Sequence, residues 1–150
     1  MKKVFSYLTA GLLTATLFTT QSCTKTCDAG YEGSDCKTES RAKFYKVWAA
    51  TETKSGTTTP STFSVTVGSG STTDVTKISI ANFAGVFVNP VTATVDGDKF
   101  TIPTQNPDAD RYTIVSGTGT YNTSTKKVAI DWTLRNDTTS VTSNWTGTWQ

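Results

Sequence analysis

Alternation of apolar and hydroxyl-bearing residues governs what most of this chain can fold into. Phe63, Val65 and Val67 are separated by Ser64 and Thr66, and Val91, Ala93 and Val95 by Thr92 and Thr94. Val128, Ile130, Trp132 and Leu134 alternate with Ala129, Asp131 and Thr133. Ile78 with Ile80 in a run that Phe83 ends, Phe100 with Ile102, and Tyr112 with Ile114 make shorter runs of the same kind. Val141, Trp145 and Trp149 share parity with the small residues Ser143 and Gly147. Successive side chains of a strand point to opposite faces, so this period of two builds one apolar and one polar face. A helix needs apolar residues three and four apart, and the chain beyond residue 42 offers no convincing stretch of that kind. The expected class is all-β, made of half-buried antiparallel strands.

The breaks between the runs are turns. Asp96-Gly97 stands between two alternating segments and is the strongest hairpin signal in the chain. Asn122 to Thr125 and Arg135 to Asp137 make two further tight connections, while Lys54 to Pro60 and Ser69 to Thr73 are longer. Asn89-Pro90 and Asn106-Pro107 disfavour helix and mark loops or strand entries. From Phe44 onward about eight strands follow one another through short links. Short sequential links favour a meander of hairpins. Eight strands can close into a barrel whose interior is filled by side chains or holds one small ligand. A two-sheet sandwich of similar strand count is the alternative.

The N-terminus reads as an address. Lys2 and Lys3 precede an apolar stretch from Val4 to Phe18, too short and too rich in Ser and Thr for a transmembrane helix. Ser22-Cys23 follows. This arrangement resembles a bacterial lipoprotein precursor, in which a small residue precedes a Cys that is acylated and becomes the first residue of the mature chain. The resemblance implies a signal peptide over residues 1–22 and lipidation at Cys23. Thr24 follows the Cys in place of the Asp used for inner-membrane retention, which implies the outer membrane of a Gram-negative bacterium. Plain secretion, with Cys23 free or paired, is the alternative.

The chain has three Cys. If Cys23 carries lipid, Cys27 and Cys36 remain as a pair in an oxidising compartment. The segment Cys27-Asp28-Ala29-Gly30-Tyr31-Glu32-Gly33-Ser34-Asp35-Cys36 resembles the last loop of an EGF-like module. That resemblance covers only these residues and implies a disulfide-closed knob. Residues 23–42 are then anchor, loop and linker, with Lys37 to Ala42 a short linker or a single helical turn, and 43–150 the β-domain. Trp48 in the first strand, Tyr112 with Gly117-Thr118-Gly119, and a last strand ending at Trp149 resemble a lipocalin-like (calycin-type) barrel. Lys46-Val47-Trp48 stands where that family opens with Gly-x-Trp. More broadly, the chain is similar to small exported lipoproteins with a GYxG disulfide loop before one β-domain.

Composition narrows the function. There is no His, which excludes Ser-His-Asp and Cys-His catalytic units and any His-bearing zinc site. The net charge is +2, and losing residues 1–22 removes Lys2 and Lys3 to leave 12 basic against 12 acidic residues. A neutral chain without a basic cluster has no electrostatic footprint for nucleic acid or for an anionic membrane surface. No enzyme activity, cofactor or metal is expected. Asp108 and Asp110 are spaced like the start of a Ca²⁺ site but lack the Gly and bidentate Glu that complete one. Asp131 and Glu52 are the acids that glycoside chemistry would have to pair across a cleft. Asp137-Thr138-Thr139 resembles an O-glycosylation acceptor motif of exported proteins in some Gram-negative bacteria. Trp48, Trp132, Trp145 and Trp149 read as core by parity, and as the lining of a pocket if the barrel is hollow. The expectation is a membrane-anchored, non-enzymatic domain for interaction or for a small apolar ligand, with a surface carbohydrate-binding module as the alternative.

Overall fold

The computed structural model describes residues 26–150, so the expected signal peptide and Cys23 lie outside the described residues. Two short strands come first, β1 (Tyr31–Glu32) and β2 (Thr38–Glu39), and a 3-10 helix (Ser40–Phe44) follows. Eight longer strands succeed them: β3 (Lys46–Lys54), β4 (Ser61–Ser69), β5 (Lys77–Ala81), β6 (Val91–Asp96), β7 (Lys99–Ile102), β8 (Tyr112–Asn122), β9 (Lys127–Asn136) and β10 (Val141–Trp149). A second 3-10 helix (Phe83–Gly85) lies between β5 and β6. The eight strands form one closed antiparallel barrel in meander order.

Closure decides between barrel and sandwich. β10 pairs with β3 from Trp145↔Lys54 to Trp149↔Ala50, so the last strand finds the first and no sheet edge remains. Inward parity is as the alternation predicts. Trp48, Ala50 and Glu52 of β3, Val65 and Val67 of β4, and Val128, Ile130 and Trp132 of β9 are all buried. The β6–β7 hairpin turns through Gly97-Asp98, one residue later than Asp96-Gly97, since Asp96 already pairs with Lys99. Gly97 there has φ +55°, a conformation that a Cβ disfavours.

β8 contains the one irregularity that parity alone does not foresee. Ile114 pairs with Leu134 and Ser116 with Thr133, which leaves Val115 as an extra residue in a β-bulge. The bulge shifts the inward set from Ile114 to Gly117 and Gly119. Both glycines make room for side chains of the paired strands, Gly117 for Ile102 and Trp132 and Gly119 for Phe100. A Cβ on Gly119 would stand 2.1 Å from the Phe100 ring.

One end of the barrel is sealed by the segment read as a short linker or a single helical turn. Residues 38–42 form β2 and most of the first 3-10 helix. Phe44 drops into the lumen, edge-on to Phe100 at 5.4 Å between ring centroids. Its carbonyl accepts the Trp48 indole N–H at 2.8 Å. Arg41 Nη1 lies within 3.1 Å of the carbonyl oxygens of Ser71, Asp74 and Lys77, gathering loop groups that would otherwise be unpaired. Helices this short carry no 3.6-residue signature, and Arg41 and Lys43 give the segment a solvated look in the sequence. The β1–β2 hairpin packs on the same end. Gly30 abuts Val75 and Thr76, and Lys43 Nζ binds Glu32 and Asp98.

Gly119 and Gly68 offer a paired test of the packing. Gly119→Ala is expected to cost about 1–3 kcal/mol because Phe100 must move. Gly68→Ala, with nothing within 4 Å of its Cβ, is expected to stay within about 0.5 kcal/mol of the parent. Urea unfolding measures both, and equal midpoints for the two variants would contradict the packing described.

Candidate functional site

The barrel is solid at one end and hollow at the other. At the end opposite the first 3-10 helix lies a cavity of about 570 Å³. Its wall comes from one end of three strands: Tyr112 at the start of β8, Trp132, Leu134 and Asn136 toward the end of β9, and Val141, Ser143 and Trp145 at the start of β10. Lys54 ends β3 at the rim, and Ala84, Val86 and Phe87 close over one side. The volume falls within the range of small-molecule sites, and the lining mixes aromatic surface with a few polar groups.

The four tryptophans divide by height along the barrel axis. Trp132 and Trp145 are cross-strand neighbours, stacked 5.5 Å apart with 13° between ring planes, and both line the cavity. Trp48 and Trp149 are fully buried and lie outside the cavity wall. Trp149 stacks on Phe100 at 5.7 Å, in the filled half. Of the two readings by parity, core describes Trp48 and Trp149, whereas Trp132 and Trp145 border the cavity. Parity gives the face of the wall a residue occupies but not its depth. The divider is Phe83, completely buried, with ring centroids 4.9 Å from Trp132 and 6.4 Å from Trp149. Sequence reading placed Phe83 only at the end of a strand run and missed Phe87. Isolated aromatics in a short irregular segment carry no periodic signal.

Glu52 is the buried acid of this fold, 1% exposed. Its Oε2 accepts the Trp132 indole N–H at 2.8 Å and its Oε1 accepts that of Trp149 at 2.9 Å. No cation pairs with it among the described residues. Burial pushes its pKa above the ordinary carboxyl range, and the two indole N–H groups pull only partway back. Gly147 supplies the space, since a Cβ there would come within 2.6 Å of Glu52 Cγ. Glu52 does not line the cavity, so its role is to hold Trp132 from behind. Its inward parity with Trp48 and Ala50 was the available signal.

The remaining sequence candidates fall elsewhere. Cys27 and Cys36 form a disulfide beside the sealed end, with Cα atoms 5.2 Å apart. Asp131 is exposed on the outer wall and cannot pair with Glu52. Asp108 spends its oxygens on the backbone N–H groups of Val88 and Asn89, at 3.0 and 2.7 Å. Those bonds hold its pKa below the usual carboxylate range. Asp110 Oδ1 accepts the Tyr112 N–H, so both acids of the D-x-D act as loop ties. Asp137 accepts from the Thr113 hydroxyl and Arg135, which lower its pKa, while Thr138 and Thr139 stay exposed at the hairpin tip.

No protein-family model matches the chain, and comparison with curated proteins and with solved structures finds no match either.

The raised pKa of Glu52 has a sign that can be measured. Between the ordinary glutamate pKa and the higher folded-state value, the folded chain holds a proton that the unfolded chain has lost. That contribution is complete at low pH and is lost as pH rises through the folded-state pKa. Unfolding free energy of the parent is therefore expected to increase relative to Glu52→Gln as pH falls from neutrality toward the ordinary glutamate range. Parallel pH profiles for the two proteins would contradict this.

Proposed function

We propose that the protein is a lipid-anchored, non-enzymatic carrier or receptor that holds one small apolar ligand in the open mouth of its barrel. The observation that carries this reading is the cavity of about 570 Å³ floored by the Trp132–Trp145 stack, above a lower half filled by Trp48, Phe100 and Trp149. A barrel built only for shape would fill both halves. Here the aromatic surface at the open end faces solvent-accessible space that an apolar body can occupy at a gain of roughly 25 cal/mol per Å² removed from water.

The direction of the chain supports an anchor at the other end. Residues 26–44 lie at the sealed end, through the contacts of Gly30 with Val75 and of Lys43 with Asp98. An acylated Cys23 is four residues before Cys27, a reach of at most about 14 Å. The EGF-like disulfide loop then acts as a stiff spacer between lipid and barrel. On this reading the outer membrane holds the sealed end and the mouth faces away from it. Such a geometry suits capture of a ligand from the aqueous phase or from a partner protein. A carbohydrate module of the flat, stacked type gains no support, since Trp48, Trp132 and Trp149 are buried and Trp145 is half-buried against Trp132.

Two measurements test the reading. Cys23→Ser is expected to move the protein from the membrane to the soluble fraction, and unchanged membrane association would refute the anchor. Decanol is expected to alter tryptophan emission saturably in the parent, whereas Ser143→Trp, which fills the mouth, should weaken binding at least about tenfold. No saturable change in the parent, or equal affinity in the filled variant, would refute the cavity as the site.

A further inference from the structure

A second concavity lies on the outer face of β8, β9 and β10. It is a groove of about 400 Å³, a volume within the range of small-molecule sites. Two cross-strand rows of outward side chains border it, Ser116, Thr133 and Asn144 in one and Thr118, Asp131 and Thr146 in the other. Between the rows Gly117, Trp132 and Trp145 turn inward, so the floor is strand backbone. The β-bulge at Val115 creates this arrangement. Ile114 and Ser116 would otherwise share a face, and the extra residue turns Ser116 out of the lumen that Ile114 fills. Such bulges recur beside active sites, where they re-aim a side chain. The Thr104 hydroxyl ties this one down by donating to the Val115 carbonyl at 2.6 Å.

One row offers an unspent acceptor and the other an unspent donor. Asp131 makes no ion pair and no side-chain hydrogen bond among the described residues. Asn144 accepts the Thr133 hydroxyl on its Oδ1 at 2.9 Å, and its two amide N–H groups find no acceptor among the described residues. The two residues are diagonal neighbours across β9 and β10, with Cα atoms on the order of 7–8 Å apart. We propose that this groove binds a neutral saccharide, with the hydroxyls of one pyranose ring held between Asp131 and Asn144. A sugar hydroxyl donates and accepts at once, so an acceptor-only carboxylate and an amide N–H satisfy both of its needs. The hydroxyls of Ser116, Thr118 and Thr146 serve in either sense. No basic side chain lines the groove to hold an anion, and the Asn144 N–H groups oppose a cation. The site uses no aromatic stacking and is separate from the cavity inside the barrel.

Titration of the protein with glucose, galactose, mannose and N-acetylglucosamine, read by backbone amide chemical shifts, tests the site. At least one sugar is expected to give saturable shifts confined to Ser116–Thr118, Asp131–Thr133 and Asn144–Thr146, with a Kd on the order of 1 mM. Asp131→Asn should weaken that sugar at least about tenfold, because it removes a charged acceptor. Asn144→Asp, which turns the donors into an acceptor, should weaken it as much. Both positions are exposed, so the unfolding midpoints of the two variants should stay near that of the parent. No saturable shift with any of the four sugars, shifts confined to other residues, or parental affinity in Asp131→Asn would overturn the saccharide site. Saturable shifts in the groove with Ca²⁺ or lysine amide, and with no sugar, would overturn it in favour of a cation site.

Discussion

A sheet of eight strands becomes a barrel only where its two ends meet, and here that meeting is held from inside by one carboxyl group. The β10–β3 seam is five residue pairs long. Behind it Glu52 of β3 receives the indole N–H of Trp149 from β10 and of Trp132 from β9. Two donors and two acceptors match, so three strands are tied by a group that burial would otherwise make costly. The bridge also fixes the Trp132 ring, against which Trp145 stacks and Phe83 packs. The floor of the cavity therefore inherits its rigidity from the closure of the barrel.

The distribution of large and absent side chains follows from that arrangement. In the sealed half the lumen is packed with Phe44, Trp48, Phe100 and Trp149, and glycines on the paired strands give room, Gly119 to the Phe100 ring and Gly147 to the Glu52 side chain. In the open half the facing positions carry Ser143 and Asn136, which neither fill the lumen nor give room to an aromatic from across it. The second 3-10 helix leans over this half through Ala84, Val86 and Phe87 and leaves it open. Ala84 and Asn82 adopt left-handed backbone angles, φ 57° and 55°, which turn the chain sharply enough for Phe83 to enter the lumen. Such conformations persist only when surrounding contacts fix them, here the burial of Phe83 and the Asn82 side-chain bond to the Ser64 carbonyl at 2.7 Å.

What the sequence made legible, and what it did not, divides along physical lines. Period-two alternation marks strands because each inward residue must be apolar wherever the lumen is packed, and β4, β6 and β9 are plain on that ground. Sequential turns gave the meander, and the inward stripe Val141, Ser143, Trp145, Gly147 and Trp149 is the one the structure uses. Three features escaped. The seal formed by Ser40–Phe44 is too short to show a helical period, and its Arg41 hides a structural role behind a solvated type. The bulge at Val115 leaves no mark in the composition of β8. Depth along the barrel axis, which separates Trp48 and Trp149 from Trp132 and Trp145, is set by register and stagger, quantities that a one-dimensional pattern does not carry.

A picture emerges of a barrel with two distinct ends. The sealed end receives the chain from its disulfide loop and is stabilised by Arg41, Lys43 and Phe44. The open end presents aromatic surface. The most direct test of this division is an isotope-filtered NMR experiment on the protein with bound decanol. Nuclear Overhauser contacts from the alkyl chain to Phe87, Leu134 and Trp145 are the predicted result. Contacts confined to residues of the outer wall such as Val47, or to the sealed half such as Val128, would contradict it.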